Sequence, residues 1–395
     1  MIRASECQNI IKRKTIDSLG YKAVFKEAIK SGILPWHARV LVFLSETGGS
    51  TDYIRIVGPV LLNESFTHTV TFCLTELSYH EADNSFNISK KVLERFPLTI
   101  VVSREKISEN ALSALRLLKR SYSSIRIVID IDDDLFSIND THPEYEHYST
   151  RLAILKSLVK TADAITVSTE GVKQGLIVED CNKEKITVIP NYLDDRVWQL
   201  NATREDDKKN AGIRVLYSGT ETHDADLKTV VEAIRTAQEI VKRQLKKDLE
   251  VVVVGGTTTK LPGMNIVRVP DSMRFYTSYI PWLQSMRPFD FAIAPLDLDN
   301  KLNWSKSALK YLEYSAMGLP AIFTEIEPYA RVVNSHENGI LIPGNSKDAW
   351  AEALVSLASD HQLAQRISNQ CRTDVTANRL LSQHFGEWKS IIEPE

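Results

Sequence analysis

The sequence predicts an α/β protein of two doubly wound domains, each a parallel sheet with helices on both faces. Three observations predict it. At 395 residues the chain is too long for one hydrophobic core, and fits two units of about 150 to 200 residues. Short apolar runs alternate with amphipathic stretches, which is βαβ patterning. Several of those runs break at glycine and lead into a helix, as at Gly48-Gly49 and at Gly219. A doubly wound domain brings its backbone close to a ligand at such turns. Composition excludes other classes. With 43% hydrophobic residues and a formal net charge of −3, nothing suggests a nucleic-acid or polyanion partner. Cys7, Cys73, Cys181 and Cys371 are dispersed and fit no metal or disulfide spacing, which reads as reduced thiols in a cytoplasmic protein. The opening residues MIRASECQNIIKRK hold no apolar h-region, and no window approaches 18 apolar residues. Neither a secretion signal nor a membrane span is expected.

In chain order, RVLVFLSETGGSTDYIRIVGPVLL reads as strand, glycine turn and helix. THTVTFCL and PLTIVVS are further strands. ENALSALRLLKRSY is a helix with Ala111, Leu112, Leu115 and Leu118 on one face and Arg116, Lys119 and Arg120 at its basic end, as the helix dipole favours. The next strand runs from Arg126 to Ile131, and Asp130, Asp132, Asp133 and Asp134 crowd its end. Carboxylates this close repel and call for a partner. The partner is a hard metal ion such as magnesium or manganese, an acceptor hydroxyl polarised by a carboxylate, or a structural ion pair with helix capping. Strand alternation points Asp130 and Asp132 to one face and Asp133 to the other. His142, Tyr145 and His147 follow in a loop, where spacing singles out no histidine. KITVIPNYLDD closes the first half, and the charged segment 201–212 reads as a linker.

The second half opens with RVLYSGTETHDADLKTVVEAI, again strand, glycine turn and helix. LEVVVVGG and NIVRVPD are strands, and Tyr279, Pro281 and Trp282 are candidate stacking surfaces or core residues. FDFAIAPLDLDNKLN then enters NWSKSALKYLEYSAMGLP, where a helix is expected from about Ser307 to Met317 with a stop at Gly318. Ser307 is a competent N-cap, and the first turn behind it leaves backbone N–H groups free. Such a start attracts anions. Lys306 and Lys310 flank it, and Glu313 lies one turn on. Cations, free N–H groups and one carboxylate suit a ligand with a phosphate end and a hydroxyl-rich end, such as a sugar nucleotide.

The run Lys306-Ser307, Lys310, Leu312-Glu313-Tyr314, Ala316 and Gly318-Leu319-Pro320 resembles the donor-binding helix of GT-B glycosyltransferases, specifically the family-4-like bacterial cell-surface glycan enzymes. Ser218-Gly219-Thr220-x-Thr222-His223-x-x-Asp226, the acidic run Asp132-Asp133-Asp134-Leu135, Pro190-Asn191 and Asp52-Tyr53-Ile54-Arg55 extend the resemblance over nearly the whole chain. It implies two Rossmann-like domains facing each other across a cleft. The acceptor-side domain would be 1–200, the linker 201–212, the donor domain 213–375, and 376–395 a helix crossing back. It implies donor binding by Gly219, Thr220, His223, Lys306, Ser307, Lys310 and Glu313, with Glu313 on the ribose. Acceptor contacts would be Gly48, Gly49, Tyr53 and Arg55, and catalytic carboxylates Asp132 and Asp133. The sequence departs from many relatives at Ser305, where they have a second Glu, and in lacking a basic pair near Gly219.

The implied activity is transfer of a sugar from a nucleoside diphosphate to a hydroxyl of a surface glycan or lipid-linked precursor, with retention by default. No cofactor or divalent metal is expected. The basic helix end suits peripheral contact with the inner membrane face. A reading from another class is a catalytically silent GT-B subunit that binds glycan or a partner transferase, motivated by the same two departures. Donor base, sugar, acceptor and oligomeric state are not encoded in these motifs.

Overall fold

The structure is a computed structural model that describes residues 39–44, 49–63, 69–73, 79–80, 85–86, 93–94, 98–103, 107–140, 142–200 and 212–393. Gly48 and all but the last residue of the 201–212 linker lie outside them.

Strands are numbered in chain order. In the N-terminal half these are β1 (Val40–Leu44), β2 (Thr69–Cys73), the short antiparallel pair β3 (Tyr79–His80) and β4 (Ser85–Phe86), β5 (Leu98–Ser103), β6 (Ile125–Ile131), β7 (Ala164–Val167) and β8 (Ile186–Val188). All but β3 and β4 form a six-stranded sheet in the order β2-β1-β5-β6-β7-β8, parallel throughout. The strand order reverses between β1 and β5, so the ends of β1 and its neighbours open a crevice there. β1 and β5 are buried at every residue, as a parallel sheet covered on both faces requires. Alternation along β6 sends Ile127, Ile129 and Ile131 into one core and Val128 into another.

The second sheet contains β9 (Ile213–Gly219), β10 (Leu249–Gly255), β11 (Met264–Val267), β12 (Phe291–Ala294), β13 (Ala321–Thr324) and β14 (Ile340–Ile342). Its order is β11-β10-β9-β12-β13-β14, again all parallel. That is the doubly wound dinucleotide-fold order, with its switch point between β9 and β12. Gly219 and Gly255 face each other at the ends of β9 and β10, and Gly255 has φ +125°, open only to glycine at such close approach.

Ten helices position the site. They are α1 (Ser50–Asp52 continuing as the π-helical Tyr53–Leu61), α2 (Glu109–Ser121), α3 (Leu152–Thr161), α4 (Glu170–Val178), α5 (Val231–Leu245), α6 (Tyr276–Ser285), α7 (Leu309–Ala316), α8 (Lys347–Ser359), α9 (His361–Asn378) and α10 (Phe385–Ile392). Three helices run from Lys347, and Asp360 caps α9 and separates it from α8. α10 returns to the first sheet. The Thr99 hydroxyl of β5 donates to the Ile392 carbonyl at 2.8 Å, and Trp388 is buried above Arg55. At the basic end of α2, Lys119 is paired with Asp163, while Arg116 and Arg120 remain exposed.

A polar anchor ties the loop after β10 to the turn after β9. Asp224 accepts from the hydroxyls of Thr257 and Thr258, from the Thr258 amide at 3.1 Å and from the Thr259 hydroxyl at 3.1 Å. Burial opposes the charge, but these donors win and pull the carboxyl from its ordinary 3.8 to about 2. Its stabilising effect is therefore complete above 3.8 and is lost as pH falls towards 2. Asp224→Asn is expected to lower the thermal midpoint near neutral pH. The gap to the wild type should narrow as pH is lowered through that window, measured by thermal unfolding at a series of pH values.

Candidate active site in the cleft between the two sheets

The described residues of the two halves enclose a cavity of about 260 Å³. It lies at the carboxyl ends of the strands, where both switch points open. On one wall stand Tyr217 and Ser218 at the end of β9 and His223 and Asp226 after it, with Lys306, Ser307, Lys310 and Tyr314 around α7. On the other stand Ser50, Thr51, Ile54 and Arg55 of α1, Asp132 and Asp133 after β6, and Asn191 after β8.

The start of α7 differs from the sequence expectation. The helix begins at Leu309, Ala308 occupies the N-cap position, and no side chain caps it. Ser307 is not the cap because its hydroxyl faces the other half and accepts from Asn191 Nδ2 at 2.9 Å. The N–H groups of the first turn are left without side-chain acceptors, which preserves the anion-attracting end. The helix stops as predicted. Gly318 has φ +65°, its N–H bonds to Ser315 and that of Leu319 to Tyr314 at 2.9 Å, the glycine-terminated form common at helix ends. Tyr314 fixes α7 over the switch point: its hydroxyl accepts from the Ser218 amide at 3.1 Å and donates to the Ile293 carbonyl at 3.2 Å.

The two lysines are held differently. Lys310 pairs with Glu313 at 2.7 Å. Burial lowers its pKa, but Glu313 more than offsets this, so the ammonium is held charged. Lys306 lies 3.7 Å from Asp226 and 3.2 Å from His223 Nδ1, long contacts that leave it the less committed cation. Asp226 is itself oriented, accepting at Oδ1 from the Asp297 amide at 2.8 Å and from Asn303 Nδ2 at 2.7 Å. Its Oδ2 meets His223 Nδ1 at 3.1 Å. Burial pushes the His223 pKa down, and Lys306 and Lys310 add to that against the pull of Asp226. The imidazole is neutral near pH 7. The acidic residue that stands where a basic one was wanted is thus a holder of Lys306 and His223, and its own carboxyl is lowered by them despite burial.

Glu313 is buried, with its side chain committed to Lys310, and it does not line the cavity. Gly219 and Thr220 lie just outside the lining, and Thr220 bonds to Thr222 at 2.7 Å. On the acceptor side, Gly49 precedes α1, and Tyr53 is no cavity contact. Tyr53 is 2% exposed, donates to Asp194 at 2.8 Å and stacks on Tyr276 with ring centroids 5.0 Å apart. Its helical position points it into the core because Ser50, Thr51 and Ile54 occupy the cavity face.

The acidic cluster divides. Asp130 is 3% exposed and meets Arg55, 1% exposed, in a bidentate pair with Nη2 to Oδ1 at 2.8 Å and Nε to Oδ2 at 3.1 Å. Thr166 also donates to it at 2.6 Å. Burial lifts the Asp130 pKa, against the pull of Arg55 and Thr166. Asp134 is buried beneath α4, where Gly175 leaves no space for a Cβ, and accepts from Ser137. Asp132 and Asp133 both line the cavity. The expectation that they face opposite ways fails because β6 ends at Ile131, and alternation ends with it. Among the described residues no three His, Cys, Asp or Glu side chains gather as a metal ion would need. His142, in the loop beyond, is half-buried. Burial lowers its pKa, and Lys306 and Asp226 are close enough to act on it, whereas His147 is exposed.

Residues 212–360 match the family model of the group 1 glycosyl transferases. The crystal structure of Anabaena HepE in complex with UDP and glucose is similar at a TM-score of 0.61 and 13% identity, over 91% of this chain and 100% of that one. A Rickettsia africae glycosyltransferase is similar at 0.57 and 15% identity, over 91% and 99%. The sucrose-phosphate synthase of Thermosynechococcus elongatus is similar at 0.56 and 15%, over 90% and 98%. No curated relative matches in sequence. The fold is the GT-B fold of these glycosyltransferases, and the C-terminal half carries the group 1 match. Asn191, Asp226 and Tyr314 escaped the sequence-based site set, although all three lie within the motifs that carry the resemblance.

Removing one partner of a buried pair strands the other charge, at a cost of about 3–5 kcal/mol. Asp130→Asn is expected to lose stability on that scale in urea unfolding. A surface carboxylate such as Glu232, paired with Arg235 in the open, should cost under about 1 kcal/mol on the same change.

Proposed function

We propose that this glycosyltransferase moves a sugar from a nucleoside diphosphate donor to a hydroxyl of a surface glycan or its lipid-linked precursor. The observation that supports this best is one cavity with the loosely held Lys306, Lys310 and the open end of α7 on one wall, and Asp132 and Asp133 on the other. The diphosphate lies at the α7 end, where the N–H groups and Lys306 meet its charge. The 213–375 unit holds the donor and the 1–200 unit presents the acceptor. HepE binds UDP and glucose, and a pneumococcal O-GlcNAc transferase binds UDP and GlcNAc, so UDP-sugars are the first donors to try.

In the reaction the bond from the anomeric carbon to the phosphate oxygen breaks with its electron pair going to the diphosphate. The acceptor oxygen forms the new bond to that carbon from the same face, and its proton ends on the departing phosphate oxygen. Asp132 or Asp133 orients the acceptor hydroxyl by accepting its hydrogen bond. Lys306 and the helix end stabilise the charge that develops on the leaving group. Lys306, Lys310 and backbone N–H groups supply the countercharge, so the transfer runs without a divalent ion or other cofactor. The protein works in the cytoplasm, with Arg116 and Arg120 of α2 available for the inner membrane face. No helix among the described residues is long and apolar enough to cross a membrane.

Calorimetric titration with UDP is expected to show binding that Lys306→Ala weakens about 10- to 100-fold, the scale of one charge-assisted hydrogen bond. Asp132→Asn and Asp133→Asn are expected to lower turnover of UDP-sugar while leaving UDP affinity unchanged, and chelation by EDTA to leave turnover intact. Absence of binding by any nucleoside diphosphate would remove the donor assignment. Unchanged turnover in both Asp variants would return the cluster to a structural role.

A further inference from the structure

Asn191 occupies a place in the cleft to which no role attaches in the reaction above. Its Oδ1 accepts from Arg55 Nη1 at 2.9 Å, and its Nδ2 donates to Ser307 Oγ at 2.9 Å. Both ends of one amide are thus used, and their partners, Arg55 and Ser307, belong to opposite walls of the cavity that Asn191 helps to line. Arg55 in turn is immobilised by Asp130 and by the Ile189 carbonyl at 2.6 Å. The result is an unbroken hydrogen-bonded chain from Asp130 through Arg55 and Asn191 to Ser307. One end sits two residues before Asp132, and the other sits next to Lys306.

The same donor loop is gripped at a second point. The Thr169 hydroxyl, at the start of α4, donates to the Ser305 carbonyl at 2.6 Å. Gly171 lies against it so closely that a Cβ would stand 2.7 Å from Ser305 Cα. Ser305 is buried by this contact. The loop carrying the freer lysine is therefore positioned by the N-terminal half, and both grips reach the acidic cluster: Asn191 through the side chains of Arg55 and Asp130, and Thr169 through its neighbour Ser168, whose hydroxyl donates to the Asp132 carbonyl.

We infer that Asn191 is a positioning residue for sugar transfer, setting the distance between Lys306 and the Asp132–Asp133 pair by joining Arg55 to Ser307 across the cleft. The inference rests on the donor assignment for Lys306. It concerns the transition state more than ground-state binding, because the diphosphate and acceptor must be held in register while charge moves from one to the other. Asn supplies one acceptor and one donor group in a single plane. Alanine supplies neither. Aspartate can accept from both Arg55 and the Ser307 hydroxyl, so it restores the bridge with the second proton reversed.

The experiment compares wild type, Asn191→Ala, Asn191→Asp, Ser307→Ala and the Asn191→Ala/Ser307→Ala double variant as full-length proteins. Amide hydrogen exchange without nucleotide reads the loop 303–308. UDP-sugar turnover reads kcat and KM separately. Asn191→Ala and Ser307→Ala are each expected to speed exchange in that loop and lower kcat about three- to tenfold, the scale of one neutral hydrogen bond, with KM nearly unchanged. The double variant should lose no more than either single one, and Asn191→Asp should recover most of the loss. Unchanged loop exchange in both single variants, or additive losses in the double, would overturn the bridge. Faster exchange with unchanged kcat would overturn its role in transfer and leave the donor site standing. Should Asn191→Ala fail to fold, Ser307→Ala breaks the same link from the partially exposed side and decides the question. Should wild type bind no nucleoside diphosphate, the donor assignment fails by itself, and loop exchange still decides the bridge.

Discussion

The guanidinium of Arg55 is the group on which the N-terminal half of the cleft depends. It has almost no access to water, and a charge so placed persists only if every donor finds an acceptor. Two carboxylate oxygens of Asp130, the Ile189 carbonyl and Asn191 provide them. These acceptors come from the end of β6 and from the chain beyond β8, so satisfying one side chain fixes α1 against two strand ends. Trp388 of α10 lies over the guanidinium at 5.0 Å and closes it from above. The last helix of the chain thereby seals a polar centre built near its beginning.

Once Asp130 is consumed by Arg55 and Asp134 lies buried under α4, the acidic run presents Asp132 and Asp133 to the cavity. Burial sorts four similar residues into two that hold the fold and two that face the cavity. The opposite wall is built differently. Its carboxylates Glu313 and Asp226 are buried and its lysines half-buried, arranged as a tight pair, Lys310 with Glu313, beside a loose group of Lys306, His223 and Asp226. Lys306 is 3.7 Å from its carboxylate partner where Lys310 is 2.7 Å from its own, so Lys306 is the more loosely paired of the two cations.

Much of the fold was legible in the sequence, because apolar period and glycine placement act locally. β1 forms on the apolar run ahead of Gly48-Gly49, β6 begins one residue earlier than read, and Gly318 ends α7 where a left-handed residue was needed. The candidate site was legible as a set of segments, and less so as a set of side chains. Tyr53 turned inward because its hydroxyl found Asp194, 141 residues away. Ser307 gave up the cap position for Asn191, 116 residues away. Glu313 was taken by Lys310 of its own helix. Local rules describe what a hydroxyl or carboxylate can do, and distant partners choose among those options.

The sequence by itself determined two parallel α/β units, a glycine turn after β9, and a helix with lysines at its start close to an acidic strand end. Those are consequences of residue period and backbone freedom, which act within a few residues. Only the tertiary structure decided that Asp226 steadies Lys306, that Asp130 belongs to Arg55, and that Asn191 spans the cavity to the donor loop. Each depends on bringing together groups from separate elements within about 3 Å, a distance at which hydrogen bonds discriminate and sequence spacing does not.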